Sequence, residues 1–223
     1  YLVLMYCHTG LSPPSALPAR SDRAVMGAFF LCVRGAPRCS IEAQQQAAGE
    51  SEVLLRSLLP QEPAPTFHTK EVAHRGALVL HLPEGADAVE LYTKVAHAIL
   101  QPSGSDLPRP TFQFTQKLVP IQQILEGPEA SVDGLTAALP ILIHKSPLAA
   151  GCSIAVMVQL RGDDVHGATD RAGAMLDKVE ARDAVLRVLT KHGKHTVDLI
   201  KPSAVVVLTM WREQETERPL LGI

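Results

Sequence analysis

Aromatic side chains are scarce in this sequence, and their scarcity limits how the protein can hold a ligand. Phe, Trp and Tyr together make up 4% of the 223 residues, so the core must consist mainly of Leu, Val, Ala and Ile. Proteins that grip single-stranded nucleic acids by base stacking do so with exposed rings. We therefore do not expect base stacking to be the main mode of binding.

Long apolar runs, clustered cysteines and phosphate-binding loops are also missing. The uninterrupted apolar runs fall well short of the roughly 20 residues that a membrane-spanning helix needs, so no membrane passage is predicted. The four cysteines are widely spaced and form no Cys-x-x-Cys pair, which indicates no zinc site and favours an intracellular location, cytoplasmic, nuclear or nucleolar. No glycine-rich phosphate loop or dinucleotide fingerprint is present. We expect neither a metal nor a cofactor.

The charge of the chain is close to balanced. Its formal net charge is −2, with a mildly basic segment over residues 109–212 and mildly acidic flanks. Domains that bind DNA usually carry a much larger basic excess. No DNA partner is therefore expected, and any nucleic-acid contact must come from local clusters of Lys and Arg.

The pattern of strands and helices predicts two α+β modules. In the first, the apolar stretches VMGAFFLCV and ALVLHL are strands, each followed by a helix that begins after Ser40 or Asp87, two residues that favour helix N-caps. In the second, the stretches TFQFTQKLV, SIAVMVQL and AVVVLTM are strands, with helices over residues 131–145 and 175–191. The stretch QPSGSDLPRP is rich in Pro and Ser and favours a boundary between the modules.

A short acidic turn precedes the last predicted strand in the stretch HTVDLIKPSAVVVLTM. Asp198 can accept backbone N–H groups within this turn. Pro202, which we place at the first residue of the strand, removes one backbone donor and so fixes the register. Several cations surround this turn, namely Arg187, Lys191, Lys194 and Lys201. Because phosphate contacts need only fixed positive charge within reach, these residues are candidates for binding nucleic acid.

Four stretches, taken in order, resemble the THUMP domain. They are FTQKLVPI, SIAVMVQLRG, RDAVLRVL and VDLIKPSAVVVLTM. In that family a basic residue and a Pro end the first strand, an Arg follows the middle strand, an Arg opens the last helix, and Val-Asp-Leu-x-x-Pro leads into the final strand. The residues of this chain at those positions are Lys117, Pro120, Arg161, Arg182, Asp198 and Pro202.

More narrowly, these stretches resemble the stand-alone THUMP proteins that act as adaptors of the RNA cytidine acetyltransferase. In those proteins a ferredoxin-like module precedes the THUMP domain. The resemblance implies an N-terminal extension over residues 1–24, a ferredoxin-like domain over 25–101, a linker over 102–110, a THUMP domain over 111–212 and a tail over 213–223. It also implies a monomeric, non-catalytic protein that binds tRNA and presents it to the acetyltransferase for N4-acetylcytidine formation. The residues expected to contact RNA are Lys117, Arg161, Arg182, Arg187, Lys191, Lys194 and Lys201, with Pro120, Asp198 and Pro202 as structural residues.

Two other functions stay open at this point. The protein could be a structural or assembly component of a ribosomal ribonucleoprotein particle, which the near-neutral charge and the carboxylates of Asp163 and Asp164, directly after Arg161, favour. It could also belong to an RNA-modifying enzyme whose catalytic domain lies outside this sequence. The histidines are scattered and form no set with Ser, Cys or Asp that indicates catalysis.

Overall fold

The protein folds into two sheets that share a buried interface. The structure, a computed structural model, describes residues 27–36, 38–59, 65–73, 76–100, 112–145, 151–161, 176–216 and 218–223. Within these residues the chain forms four α-helices and nine β-strands. This confirms the predicted α+β class. The segments predicted as an N-terminal extension (1–24) and a linker (102–110) lie outside the described residues.

The first sheet has the connectivity of a ferredoxin-like fold. Its elements are β1 (Ala28–Val33), α1 (Ile41–Ser57), β2 (His68–Glu71), β3 (Ala77–His81), α2 (Ala88–Leu100) and β4 (Thr115–Ile121). The strands lie in the order β2-β3-β1-β4, and every pair is antiparallel. The sequence AFFLCV keeps β1 buried along its whole length because it occupies the centre of the sheet. The βαββαβ order of these elements is that of the split βαβ motif.

Both helices of this module begin where the sequence predicts. The Ser40 hydroxyl accepts the N–H of Ala43 at 3.1 Å, and the Asp87 carboxylate accepts the N–H groups of Val89 and Glu90 at 2.8 and 3.0 Å. Each cap satisfies backbone donors that the first helical turn leaves without a partner. The two helices cover one face of the sheet with a core that includes Leu55, Leu91 and Val95.

Strand β4 lies in a different module from the one that its sequence indicated. We placed the stretch beginning at residue 111 in the second domain, whereas β4 pairs with β1 from Ala28↔Ile121 to Cys32↔Lys117. Its alternating residues fill both faces of the first sheet, with Leu118 against the helices and Val119 and Ile121 on the opposite side. A Pro-rich connection signals a loop, but it does not reveal which sheet the next strand joins.

The second sheet combines parallel and antiparallel strands. Its elements are β5 (Ile124–Glu126), a 3-10 turn (Gly127–Glu129), α3 (Val132–Lys145), β6 (Ser153–Arg161), α4 (Lys178–Gly193), β7 (Thr196–Val197), β8 (Ala204–Arg212) and β9 (Pro219–Gly222). The order is β5-β9-β8-β6-β7, with β6 parallel to β7 and β8. Helices α3 and α4 pack on one face, where Leu135, Leu139 and Leu189 meet Ile154 and Leu208. None of the helices in the described residues is long and apolar enough to cross a membrane.

The segment that we predicted to be a tail belongs to the sheet. Residues 219–222 form β9, which pairs with β8 and β5 and so lies inside the sheet. The charged residues at the start of this segment form the turn between β8 and β9, and the short apolar stretch PLLG then enters the sheet. Gly222 is needed here because a Cβ atom would come within 2.8 Å of Ile121 and 2.9 Å of the Trp211 ring.

Trp211 joins the two modules. Its side chain is 1% exposed and its ring centroid lies 5.5 Å from that of Phe30 in β1. Leu220 of β9 packs in the same cluster with Val119 and Ile121 of β4. The face of the first sheet opposite its helices is therefore buried in part by β8 and β9 of the second.

Candidate nucleic-acid interface

Three segments of the second module converge at one end of its sheet. The N–H of Thr196 donates to the carbonyl of Cys152 at 3.3 Å, the N–H of Asp198 to that of Ile154 at 2.9 Å, and the N–H of Ser203 to that of Ser153 at 2.9 Å. These bonds hold the residues that follow α4, together with the turn before β8, against the start of β6. The C-terminus of α4 is consequently fixed at the same end.

Four of the predicted RNA-contacting cations lie at this end. We call them the basic end, and they are Arg187, Lys191, Lys194 and Lys201. All four are exposed, and within the described ranges none of them forms an ion pair with a carboxylate. Arg187 and Lys191 are four residues apart on α4, a spacing that brings side chains to within about 6 Å of each other. Favourable interaction with the dipole of α4 accounts for Lys191 and Lys194, which lie at the C-terminus of the helix, but not for Arg187, which lies further inside it, or for Lys201, which lies in a separate turn.

Lys194 occupies a backbone conformation that usually selects glycine. It is the C-cap of α4, and its φ of 52° places it in the left-handed region. A side chain in this region raises the free energy of the folded state by about 1 kcal/mol relative to glycine. A lysine at this position carries a positive charge to the basic end at the expense of stability, and unfavourable backbone geometry of this kind is commonly found at functional sites.

Asp198 organises the turn as predicted. Its carboxylate oxygen Oδ1 accepts the N–H groups of Ile200 and Lys201 at 2.8 and 3.0 Å. These two bonds, the one from Lys201 first, hold the pKa of Asp198 below its usual value. Pro202 differs from the prediction, because β8 begins at Ala204 and the proline precedes the strand rather than opening it. It therefore belongs to the turn, while the N–H of Ser203 fixes the register through Ser153.

The three remaining candidate cations lie elsewhere. Arg182 is in the second turn of α4, where its guanidinium donates to Asp183 at 3.0 and 3.1 Å. It is about 13 Å along the helix from Lys191 and half a turn around it, at 1.5 Å and 100° per residue. Arg161 ends β6, about 26 Å along the strand from its first residue. Lys117 is half-buried on β4 opposite Cys32, in the first sheet, where Pro120 lies opposite Phe29. The seven predicted residues therefore do not form one patch.

An exposed apolar pair lies beside the basic end and was not predicted from the sequence. Leu199 is 78% exposed and Ile200 is 88% exposed, in the turn that Asp198 begins. Val197 of β7, at the edge of the sheet, is 48% exposed. The signal was present, because an aspartate favours a turn and such connecting segments run over the protein surface.

A contact between Cys152 and His195 was also missed. The thiol sulfur lies 3.3 Å from the imidazole Nδ1, and the two residues are 43 positions apart in the chain. His195 is 4% exposed, and among the described residues its Nε2 has no hydrogen-bond partner. No spacing rule predicts this pair because it depends on β6 and β7 lying side by side.

A small cavity lies between the two sheets. It has a volume of about 10 Å³ and is lined by residues that include His81, Glu126, Trp211 and Glu213. This is room for about one water molecule, far less than the roughly 300 Å³ at which ligand pockets begin. Burial, followed by the nearby charge of Lys70, lowers the pKa of His81. Within the described residues no group of His, Cys, Asp and Glu side chains is arranged to hold a metal ion.

Comparison with known proteins does not assign a family. No protein-family model matches the chain, and no curated protein matches it. Among solved structures, it is similar to PH1313 from Pyrococcus horikoshii Ot3, with 11% identity, a TM-score of 0.49, and coverage of 88% of this chain and 54% of that one. It is also similar to TrmN from Thermus thermophilus, with 15% identity, a TM-score of 0.47, and coverage of 88% of this chain and 44% of that one. A third similar structure is a 4-thiouridine synthetase in complex with RNA and ATP, with 10% identity, a TM-score of 0.40, and coverage of 88% of this chain and 40% of that one. The chain thus spans about half or less of the length of each of these structures.

Proposed function

We propose that the protein binds RNA through its basic end and acts as a non-catalytic adaptor, presenting tRNA to an RNA cytidine acetyltransferase for N4-acetylcytidine formation. One observation carries the RNA-binding part. Exposed cations from α4, from its C-cap and from the turn before β8 gather at one end of a single sheet, and none of them is neutralised by a carboxylate of the described residues. Fixed positive charge of this kind is what phosphate contacts require.

The composition supports contacts to the RNA backbone rather than to bases. With 4% aromatic residues, few rings are available for stacking, and Lys and Arg must supply most of the affinity. A net charge of −2 also favours a local contact over general attraction to polyanions. We therefore expect modest affinity that falls steeply as the salt concentration rises.

The apolar pair supports the adaptor part. The side chains of Leu199 and Ile200 are 78% and 88% exposed, and the pair directly precedes Lys201. Apolar side chains add nothing to phosphate binding, but they do contribute at protein interfaces. A protein partner that contacts this turn would lie next to RNA held at the basic end. The acetyltransferase itself is proposed from the resemblance of residues 114–121, 153–162, 182–189 and 197–210 to the THUMP adaptors.

Crosslinking in cells tests this proposal directly. After ultraviolet irradiation, peptides that carry a crosslinked nucleotide are identified by mass spectrometry, and the bound RNA and the co-purifying proteins are sequenced. We expect tRNA as the main RNA, crosslinks within residues 187–201, and an acetyltransferase among the proteins. Recovery of ribosomal RNA with ribosomal proteins would instead support a role in ribonucleoprotein assembly.

Acetyl transfer to tRNA separates the two parts of the proposal. The reaction is followed with purified acetyltransferase, with and without this protein. Addition of the protein should increase acetylation, and changing Leu199 and Ile200 to Ser should remove this increase while leaving tRNA binding intact. An increase that survives this double substitution would show that the apolar pair has no part in the adaptor function.

A further inference from the structure

Cys152 and His195 form a pair with the geometry of an activated thiol. Cys152 lies just before β6 and is partly exposed, while His195 lies just before β7 and is buried. Pairing of these two parallel strands, with Ser153 opposite Thr196, sets the sulfur 3.3 Å from Nδ1. The residue is thus partly exposed, and its thiol sulfur contacts an imidazole nitrogen.

The surroundings of His195 determine which nitrogen carries the proton. Its Nε2 has no partner among the described residues. A buried donor without an acceptor raises the free energy more than a buried acceptor without a donor. We therefore assign the proton to Nδ1, whose N–H then donates to the sulfur of Cys152. A hydrogen bond to the charged form of a group stabilises that form, so this N–H favours the thiolate of Cys152.

Positive charge nearby acts in the same direction. Lys194 precedes His195 directly, and Lys191 lies in the last turn of α4, one helical turn before it. Cysteines beside cations and imidazoles, with partial exposure, are those that react as nucleophiles. The other two cysteines of the described residues differ in one respect each: Cys32 is buried, and Cys39 is partly exposed and follows Arg38 but has no histidine contact.

We propose that Cys152 is a reactive cysteine that forms mixed disulfides with small-molecule disulfides. The Cys152 thiolate attacks one sulfur of the disulfide, a new S–S bond forms to Cys152, and the old S–S bond breaks. The other half leaves as a thiolate and takes up a proton from solvent. The new bond uses a lone pair of the Cys152 thiolate, and the electron pair of the broken S–S bond leaves with the departing thiolate. This reactivity does not depend on RNA binding, although the adduct lies beside the basic end.

Site-resolved labelling of the whole chain tests the proposal. The protein is mixed with dithiobis(nitrobenzoate), itself a small disulfide, near neutral pH, and peptide mass spectrometry gives the rate for each cysteine. A lower thiol pKa that raises the thiolate fraction about tenfold also makes the thiolate about threefold less nucleophilic. The reaction is therefore about threefold faster overall. We expect Cys152 to react at least about threefold faster than Cys39, which controls for exposure and for a neighbouring cation, and Cys32 to react slowest.

Two variants assign the effect to the hydrogen bond. His195→Leu removes the donor without introducing a buried polar group, and the Cys152 rate should fall to that of Cys39. His195→Asn offers an amide N–H at the place of Nδ1, and part of the faster rate should return. Loss of structure in either variant would raise the Cys32 rate as well, so the Cys152:Cys39 ratio in the parent protein then decides. A ratio near one in the parent, or an unchanged ratio in a folded His195→Leu variant, overturns the proposal.

Discussion

Replacing the four cations of the basic end should remove most of the salt dependence of RNA binding. The perturbation changes Arg187, Lys191, Lys194 and Lys201 to Gln, which keeps the chain lengths similar and removes only charge. All four side chains are exposed, so the fold should tolerate the changes. Any loss of binding can then be assigned to charge rather than to unfolding, which circular dichroism checks.

The size of the effect follows from the number of charges. Each phosphate neutralised on a single strand contributes about 0.7 to the slope of log K against log salt concentration, so four contacts contribute about 2.8. Between about 50 and 200 mM salt this slope corresponds to a loss of affinity of about 50-fold. The variant should lose most of this slope, and its affinity at low salt should fall close to that of the parent protein at high salt.

Fluorescence anisotropy of labelled tRNA over a salt series measures this slope. The control changes four exposed cations on other surfaces, Arg38, Lys94, Lys178 and Arg218, to Gln. It removes the same total charge, so general attraction to a polyanion falls equally in both variants. The slope of the control should stay within about one unit of that of the parent.

Equal slopes for the two quadruple variants would refute the reasoning, because RNA would then respond to total charge and not to the basic end. A third variant distinguishes a different surface. It changes Lys117, Arg161 and Arg182 to Ala, the residues that the sequence placed in the site and the structure places apart from the basic end. If this triple variant lost the slope and the first variant kept it, RNA would bind away from the basic end, near Arg161 and Arg182 of the second module or near Lys117 of the first.

Further predictions concern single residues. Lys194→Gly should raise the free energy of unfolding by about 1 kcal/mol, because glycine tolerates the left-handed backbone, while RNA affinity falls. The pKa of Asp198 is lower in the folded than in the unfolded protein, so its contribution is full above the usual value of 3.8 and is lost as the pH falls below it; Asp198→Ala should lower Tm at neutral pH and have less effect in acid. The pKa of His81 is also lowered, from 6.5, so the unfolded chain takes up this proton first and stability falls as the pH drops below that value; His81→Gln should flatten this dependence. Trp211→Ala should lower the free energy of unfolding by about 3–5 kcal/mol.

Denaturant titrations and thermal melts followed by circular dichroism measure these changes, and each of the first three predictions has a contrary result. If Lys194→Gly did not raise the free energy of unfolding, the left-handed backbone at Lys194 would carry no strain. An Asp198→Ala deficit that is constant with pH would mean that the turn does not depend on the carboxylate charge. A parent protein whose stability does not change as the pH falls below the usual imidazole pKa would place His81 in contact with solvent.

The larger elements could be predicted because their residues carry their own signal. The stretches AFFLCV and AVVVLTM are dense in apolar and β-branched residues, and Ser40 and Asp87 cap helices through bonds that span only a few residues. The short strands carried no such signal. All four residues of β2 are exposed, and β7 has only two residues. Each forms a strand because it pairs with a neighbouring strand, β2 with β3 and β7 with β6. A local sequence pattern contains no information about such pairing.

The candidate site was predictable in part for the same reason. The Asp198 turn and the cations of α4 lie close together in the sequence, so their proximity in the structure could be predicted. Lys117 and Arg161 depend on which sheet receives β4 and on where β6 ends, and both follow from pairing between distant segments. The Cys152–His195 contact depends on parallel pairing across a long crossover through α4.

The position of β9 has a consequence for how the molecule folds. Leu221 pairs with Leu125 across roughly 100 residues of chain, and such distant partners slow folding because a large loop must close before the contact forms. Until β9 arrives, β5 and one edge of β8 have no neighbour, and Trp211 lacks part of its enclosure. During synthesis on the ribosome these apolar edges would stay open until β9 emerges, a period in which they are vulnerable to aggregation and in which a chaperone would be of use.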